Sequence, residues 1–191
     1  MRCMICEVLS LKHICKTCQN EHLSPSFYTR RILGKIPVYS FYKYEEIEPF
    51  LLTKHTDLGY YIYTILAENS FRPFAGNFDY KYTLASLSID DNIKSGYSHT
   101  AILNKALKSS HIKPRFSKLR AKSSTSYSGK DYQFRLLNPR NFQVKSFEEE
   151  DVILVDDIIT TGLTLTQAVQ ALSKVGKNVV MCLTLADVKK R

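Results

Sequence analysis

The sequence predicts an α/β fold, a parallel sheet flanked by helices, preceded by a small metal-binding knuckle. Three observations predict it. Two Cys-x2-Cys pairs stand within the first eighteen residues, a strand–helix–strand pattern closes the chain, and 191 residues with 44% apolar content suit one domain plus a small appendage. The expected division is residues 1–26 for the knuckle and 27–191 for the α/β domain. A charged content of 24% with only six prolines and seven glycines excludes disordered and collagen-like sequence. Apolar runs such as Val179-Val180-Met181-Cys182-Leu183 are too short to cross a bilayer, so an integral membrane protein is not expected. The first residues lack the continuous apolar stretch of a signal peptide, and the expected location is cytoplasmic.

The knuckle comes first. Cys3-x2-Cys6-x8-Cys15-x2-Cys18 places four thiols in two tight turns, and each turn brings two sulfurs to one side. Four converging thiolates suit a structural zinc ion, Zn2+, with a closed shell. Two disulfides or an iron–sulfur cluster are the competing readings, and the expected cytoplasmic setting argues against the disulfides. His13 and His22 flank the pairs as substitute ligands. A segment of this size cannot build its own apolar core, so the metal supplies the missing stability. The fifth cysteine, Cys182, reads as a small buried residue of a strand.

The remaining elements follow in order. A polar connector at Ser24-Pro25-Ser26 leads to a strand over 36–44. Residues 45–69 carry helical periodicity through Leu51, Leu52, Leu58, Ile62, Ile65 and Leu66, broken near Thr56-Asp57-Leu58-Gly59. A strand is expected over 82–88, a helix over 99–108 and a strand over 116–121. The stretch 123–129 reads as a loop and 131–137 as a short helix. The acidic run Glu148-Glu149-Glu150-Asp151 reads as a solvated loop. Residues 151–156 form a buried strand, 165–175 a helix capped by Gly176, and 178–186 another strand. A connection of this length implies parallel strands.

The chemistry is concentrated in Val155-Asp156-Asp157-Ile158-Ile159-Thr160-Thr161-Gly162-Leu163-Thr164. Ligands of open parallel sheets bind beyond the carboxyl ends of the strands, where Asp156 and Asp157 lie. Thr160, Thr161, Gly162, Leu163 and Thr164 then wrap into a helix N-terminus, whose free N–H groups and dipole favour a phosphate. Two carboxylates repel that anion and instead suit a neutral polyol or a magnesium ion, Mg2+. A vicinal diol beside a phosphate describes a 5-phosphoribosyl group.

This run resembles the phosphoribosyl-diphosphate motif of type I phosphoribosyltransferases. With the four-Cys knuckle ahead of it, the chain is similar to the ComF/ComFC family, associated with DNA uptake in natural transformation. Lys54-His55-Thr56-Asp57-Leu58-Gly59 stands where that family has Lys-aromatic-x-Gly-Asp, and Ser95-Gly96-Tyr97-Ser98 where it has Arg-Gly-Phe-Asn. Arg135-Leu136-Leu137-Asn138 matches a later Arg-x-x-Asn. The resemblance implies a type I phosphoribosyltransferase-like sheet. It implies that Asp156 and Asp157 hold the ribose hydroxyls and that Thr160 to Thr164 hold the 5-phosphate of phosphoribosyl diphosphate, with Mg2+. Ser95 replaces the usual arginine beside Lys94. The loop expected at the diphosphate reads Ile89-Asp90-Asp91-Asn92, and no hood for a nucleobase is evident.

Charge points to a second partner. The chain carries +9, and residues 104–145 hold eleven basic residues against one acidic residue, Asp131. Lys113, Arg115, Lys118, Arg120 and Lys122 lead this run, with Tyr127, Tyr132 and Phe134 among its aromatic residues. Cations along a strand and rings for its bases are what single-stranded DNA requires. A solvated basic face is the plainer reading. The five histidines show no ligand spacing and no paired nucleophile, so none is assigned a catalytic role. Two functions follow. One is a competence protein that binds single-stranded DNA and phosphoribosyl diphosphate, alongside other DNA-uptake proteins. The alternative is a salvage phosphoribosyltransferase that transfers ribose 5-phosphate to a nucleobase.

Overall fold

A computed structural model of the chain describes residues 1–89, 93, 96–122, 133 and 137–188. After the cysteine turns come α1 (Lys16–His22), β1 (Tyr28–Ile32) and β2 (Ile36–Lys43). Three helices follow, α2 (Tyr44–Leu51), α3 (Asp57–Asn69) and α4 (Phe71–Asn77), then β3 (Leu84–Ser88) and α5 (His99–Ala106). The chain continues through β4 (Ile112–Arg115), β5 (Leu119–Ala121), β6 (Phe142–Val144) and β7 (Asp151–Ile159). It ends with α6 (Leu163–Ser173) and β8 (Asn178–Asp187).

The fold is mixed α/β, as expected. Six strands form one sheet in the order β1-β2-β8-β7-β3-β4, parallel throughout except for the antiparallel β1 edge, and β5 pairs with β6 separately. The two central strands are the least polar. Val152 to Val155 and Cys182 to Ala186 are fully buried, and the one hydroxyl among them, on Thr184, meets the buried Ser40 hydroxyl at 2.6 Å. Alternate residues of β7 face two apolar layers. Ile153 and Val155 pack with Ile62, Leu66, Phe71 and Leu103 of α3, α4 and α5, whereas Val152 and Leu154 pack with Leu165, Ala168 and Leu172 of α6.

The helical stretch 45–69 divides as its sequence suggests. Thr56 ends the break and caps α3, its hydroxyl accepting from the Gly59 N–H. Five elements escaped the sequence reading, among them the three-residue β6. β1 (Tyr28-Thr29-Arg30-Arg31-Ile32) carries two adjacent arginines on an exposed edge, and β4 contains Pro114, which an edge strand tolerates. α1 and α4 are two-turn helices, too short for a periodic signal. The strand expected over 116–121 is shorter, because Ser117 adopts a positive φ of 55° between β4 and β5.

The acidic run is a loop in which Glu148 and Glu150 are exposed, as expected, but Glu149 is not solvated. Glu149 is buried, and its carboxylate accepts from Arg115 Nε at 3.0 Å and Nη2 at 2.6 Å. The expected loop at 123–129, most of the expected helix over 131–137, Asp90 to Asn92, Lys94 and Ser95 lie outside the described residues. So do Tyr127, Lys130, Tyr132, Phe134 and Arg135.

Candidate functional site

β7 carries Asp156 and Asp157 to the carboxyl end of the sheet, between β3 and β8. Because successive strand residues point to opposite sides, the two carboxylates have different surroundings. Asp157 turns toward α3 and α5. Its Oδ2 lies 3.1 Å from Lys54 Nζ and 3.3 Å from His99 Nε2, and its Oδ1 accepts from the Ile158 N–H at 2.8 Å. Burial opposes its charge, but the contacts to His99 and Lys54 outweigh burial and hold its pKa well below the usual carboxylate range. Asp156 is half-buried on the other side, where its Oδ1 accepts from the Asp157 N–H at 2.9 Å. Burial and the neighbouring Asp157 charge push its pKa well up. Its charge adds to burial in raising the Cys182 thiol to about 12, while Arg140 supplies a partly compensating positive charge nearby.

The turn that follows is built for close approach. Gly162 sits at φ 78° as the N-cap of α6, and its carbonyl accepts the first helical bond from the Thr166 N–H at 2.9 Å. A Cβ at Gly162 would come within 2.9 Å of Ile32 Cγ2, so both conformation and space exclude a side chain. Thr161 Oγ1 accepts from the Leu163 N–H at 3.3 Å, and Thr161 is exposed while Leu163 and Thr164 are half-buried. From β1, Arg30 grips the back of this turn. Its guanidinium donates to the carbonyls of Thr160, Ile159 (3.3 Å) and Val188 (3.4 Å), and its Nε and Nη2 both reach the Asp187 carboxylate, the Nε bond at 2.9 Å. These contacts fix the Ile159 and Thr160 carbonyls immediately ahead of the Gly162 turn.

Two buried hydroxyls beside the acids have no hydrogen-bond partner among the described residues. Ser88 Oγ ends β3, directly opposite Val155, and Tyr63 Oη comes from α3, its ring 5.3 Å from His99. Unsatisfied buried donors at the mouth of a parallel sheet fit a polar ligand that completes them. Two sequence segments named on resemblance also converge here. Lys54 reaches Asp157, and Tyr97 Oη donates to the Thr56 carbonyl at 3.1 Å. A Cβ at Gly59 would overlap Tyr97 Oη and the Thr53 carbonyl, which explains why glycine stands there.

Spacing rules overlooked Arg30, Tyr63, His99 and Arg140. The histidines lack ligand spacing, yet His99 touches Asp157 and its ring lies 5.5 Å from that of His55. Ser98 caps α5 and so fixes where His99 begins the helix. A cap followed by histidine was the available signal. Nothing in the sequence links Arg30 to a turn 130 residues later.

The four cysteines also converge. The sulfurs of Cys3, Cys6, Cys15 and Cys18 all lie within 4.8 Å of one another, and Cys6 Sγ is 3.7 Å from Cys15 Sγ. Tetrahedral zinc with bonds of about 2.3 Å would space its sulfurs about 3.8 Å apart, so the donor set fits that ion. All four thiols are free of disulfides. Cys15 is the N-cap of α1, and its sulfur accepts from the Cys18 N–H at 3.5 Å, while Cys3 Sγ accepts from Cys15 and Ile5 N–H groups at 3.3 and 3.5 Å. Burial opposes ionisation of Cys3, but backbone N–H groups of Cys15, Cys6 and Ile5 bring its pKa down to about 6. His13 instead packs in a tilted arrangement against Tyr61, ring centres 4.9 Å apart, and His22 lies 3.8 Å from Glu21.

The basic residues are less available than their spacing suggests. Arg115 is tied to Glu149 and Glu148, and Lys113 Nζ lies 3.9 Å from Glu149. Lys118 Nζ donates to the Ser146 carbonyl, Arg120 Nη2 to Ser117 Oγ, and Lys122 is exposed.

Residues 117–191 match the family model of the phosphoribosyl transferase domain, which spans the acid pair, the Gly162 turn and α6. Three solved structures show distant likeness. A hypoxanthine phosphoribosyltransferase from Staphylococcus aureus is 18% identical over 65% of this chain and 62% of its own, with a TM-score of 0.40. Leishmania donovani UMP synthase is 12% identical over 90% of this chain and 30% of its own, with a TM-score of 0.39. An orotate phosphoribosyltransferase from Mycobacterium tuberculosis is 18% identical over 90% and 82%, with a TM-score of 0.38. The chain spans 62% of the length of the first of these. No curated protein matches the chain. No helix among the described residues is long and apolar enough to cross a membrane.

Proposed function

We propose that this chain is a ComF/ComFC-type protein of natural transformation that binds phosphoribosyl diphosphate and single-stranded DNA. The observation that carries the ligand reading is the acid pair of β7 running straight into the Gly162 turn of α6, within the matched phosphoribosyl transferase segment. The N–H groups of the α6 turn, with Thr161 and Thr164, hold the 5-phosphate. Asp156 and Asp157 face the ribose hydroxyls, and Ser88 faces the diphosphate at the end of β3. Mg2+ accompanies the diphosphate and neutralises part of its charge. Zn2+ held by Cys3, Cys6, Cys15 and Cys18 staples the first 26 residues. DNA contact rests on the +9 charge and is assigned to Lys113, Arg115, Lys118, Arg120 and Lys122, of which Lys113 and Arg115 are engaged by Glu149. The site of action is the cytoplasm, beside other proteins of DNA uptake.

Replacing both acids tests the two-ligand reading. Asp156→Asn with Asp157→Asn abolishes phosphoribosyl diphosphate binding and leaves binding of a labelled oligodeoxythymidine within about twofold, with its steep salt dependence intact. Equal loss of both ligands contradicts it. The transferase alternative uses the same pocket, with Ser88 Oγ, unpartnered among the described residues, placed at the diphosphate. That reading requires pyrophosphate release that depends on an added nucleobase.

A further inference from the structure

A row of aromatic rings crosses the outer face of α3, from the cysteine knuckle to the mouth of the acid site. His13 lies 4.9 Å from Tyr61, Tyr61 lies 5.5 Å from Tyr60, and Tyr60 lies 5.9 Å from Tyr97. Tyr97 closes the row against the Thr56 carbonyl, two residues from the lysine that reaches Asp157. Tyr60 and Tyr61 are about half exposed, 48% and 53%, although Ile62 and Tyr63 beside them on the same helix are completely buried. Large rings left in water on one helix face have no part in the core. The row is also fixed in place, since only glycine at position 59 lets Tyr97 lie against the first turn of α3.

Beside the knuckle end of the row opens a groove of about 630 Å³, to which Lys12, Lys16 and Arg72 contribute. Glu68 in that groove is engaged by Lys12 at 2.9 Å, and Lys16 and Arg72 have no ion-pair partner among the described residues. Cations that follow a backbone and flat rings beside them are the two parts of a sequence-tolerant single-strand site. We propose that a single strand of DNA lies along α3, with bases on Tyr61, Tyr60 and Tyr97 and phosphates at Lys16 and Arg72. The strand thereby runs from the knuckle toward the phosphoribosyl pocket. This inference rests on the DNA-binding reading above and adds to the basic run at 113–122 a surface on which the bases stack.

The test uses the full zinc-loaded chain and a fluorescein-labelled oligodeoxythymidine. The chain has no tryptophan, so tyrosine emission itself reports stacking of bases on these rings. Tyr60→Ala and Tyr61→Ala each weaken the oligonucleotide about tenfold and remove part of its quenching of tyrosine emission, whereas Tyr60→Phe and Tyr61→Phe retain the affinity. Lys16→Ala and Arg72→Ala each lower the log–log salt slope by about one. Because these side chains are exposed, thermal midpoints stay near wild type. Wild-type affinity in the Tyr60→Ala/Tyr61→Ala double variant, with loss confined to Lys118→Ala, Arg120→Ala and Lys122→Ala, overturns the assignment. Failure of the wild-type chain to bind the oligonucleotide overturns the DNA reading itself, and is seen before any variant is made.

Discussion

Asp156 and Asp157 are adjacent in sequence yet electrostatically opposite. Asp157 has Lys54 and His99 within 3.3 Å and keeps its charge, whereas Asp156 meets burial and the negative charge of its neighbour. The signs of their stability effects follow. Asp157 has a depressed folded pKa, so its contribution is fully present above the unfolded value near 3.9 and is lost as pH falls through the folded value. Asp156 has a raised folded pKa, so it favours folding in acid and becomes a cost as pH rises above its unfolded value. At neutral pH, Asp156→Asn therefore raises Tm, and Asp157→Asn lowers it because Lys54 loses its partner. Each kcal/mol moves Tm by roughly 2–4 °C for a chain of this size. Both variants lose phosphoribosyl diphosphate, so calorimetry with and without ligand separates stability from binding. A group retained at a cost to the fold is the mark of a binding residue.

At the scale of elements, the strength of local patterns decided what could be read. The β7–α6–β8 unit announces itself because its strands are continuous apolar runs and Gly162 marks the turn. β1 escaped because its role is tertiary. Arg30 leaves that strand to hold the carbonyls of Thr160, Ile159 and Val188 together with Asp187. Arg30→Met leaves Asp187 buried without its partner, which lowers Tm. It also loosens the turn, so ribose 5-phosphate weakens about tenfold while ribose itself is nearly unaffected. Titration of the two sugars against the same variant reads that difference. The knuckle was legible from spacing alone, but its integration with the domain was not. Ile14 and Leu23 enter the same apolar layer as Phe41 and Ile47, and Tyr42 Oη donates to the Leu23 carbonyl at 2.8 Å. Cys15→Ser with Cys18→Ser removes two thiols of the cluster at once, while serine at position 15 keeps an acceptor at the α1 N-cap. The expected outcome is loss of about one equivalent of zinc by atomic absorption, with a fall in Tm of the whole chain.

Across the whole molecule, the sequence conveyed the chemistry of the site better than its surroundings. The acids, the turn and the four cysteines lie in short contiguous runs, so spacing exposes them. Lys54, Tyr63, His99 and Arg30 reach the site from three different elements and one connection, and only the folded sheet brings them together. The net charge of +9 points toward an anionic partner but does not say which surface would meet it. Glu149 lies in a run that reads as solvated, yet it is buried and engages Arg115 and Lys113 of the basic stretch. The most direct test of the central claim is calorimetric titration of the zinc-loaded chain with phosphoribosyl diphosphate and Mg2+ in low and high salt. The account predicts one saturable site per chain whose affinity survives salt and disappears in Asp156→Asn/Asp157→Asn. No binding, or binding that persists undiminished in that variant, would contradict it.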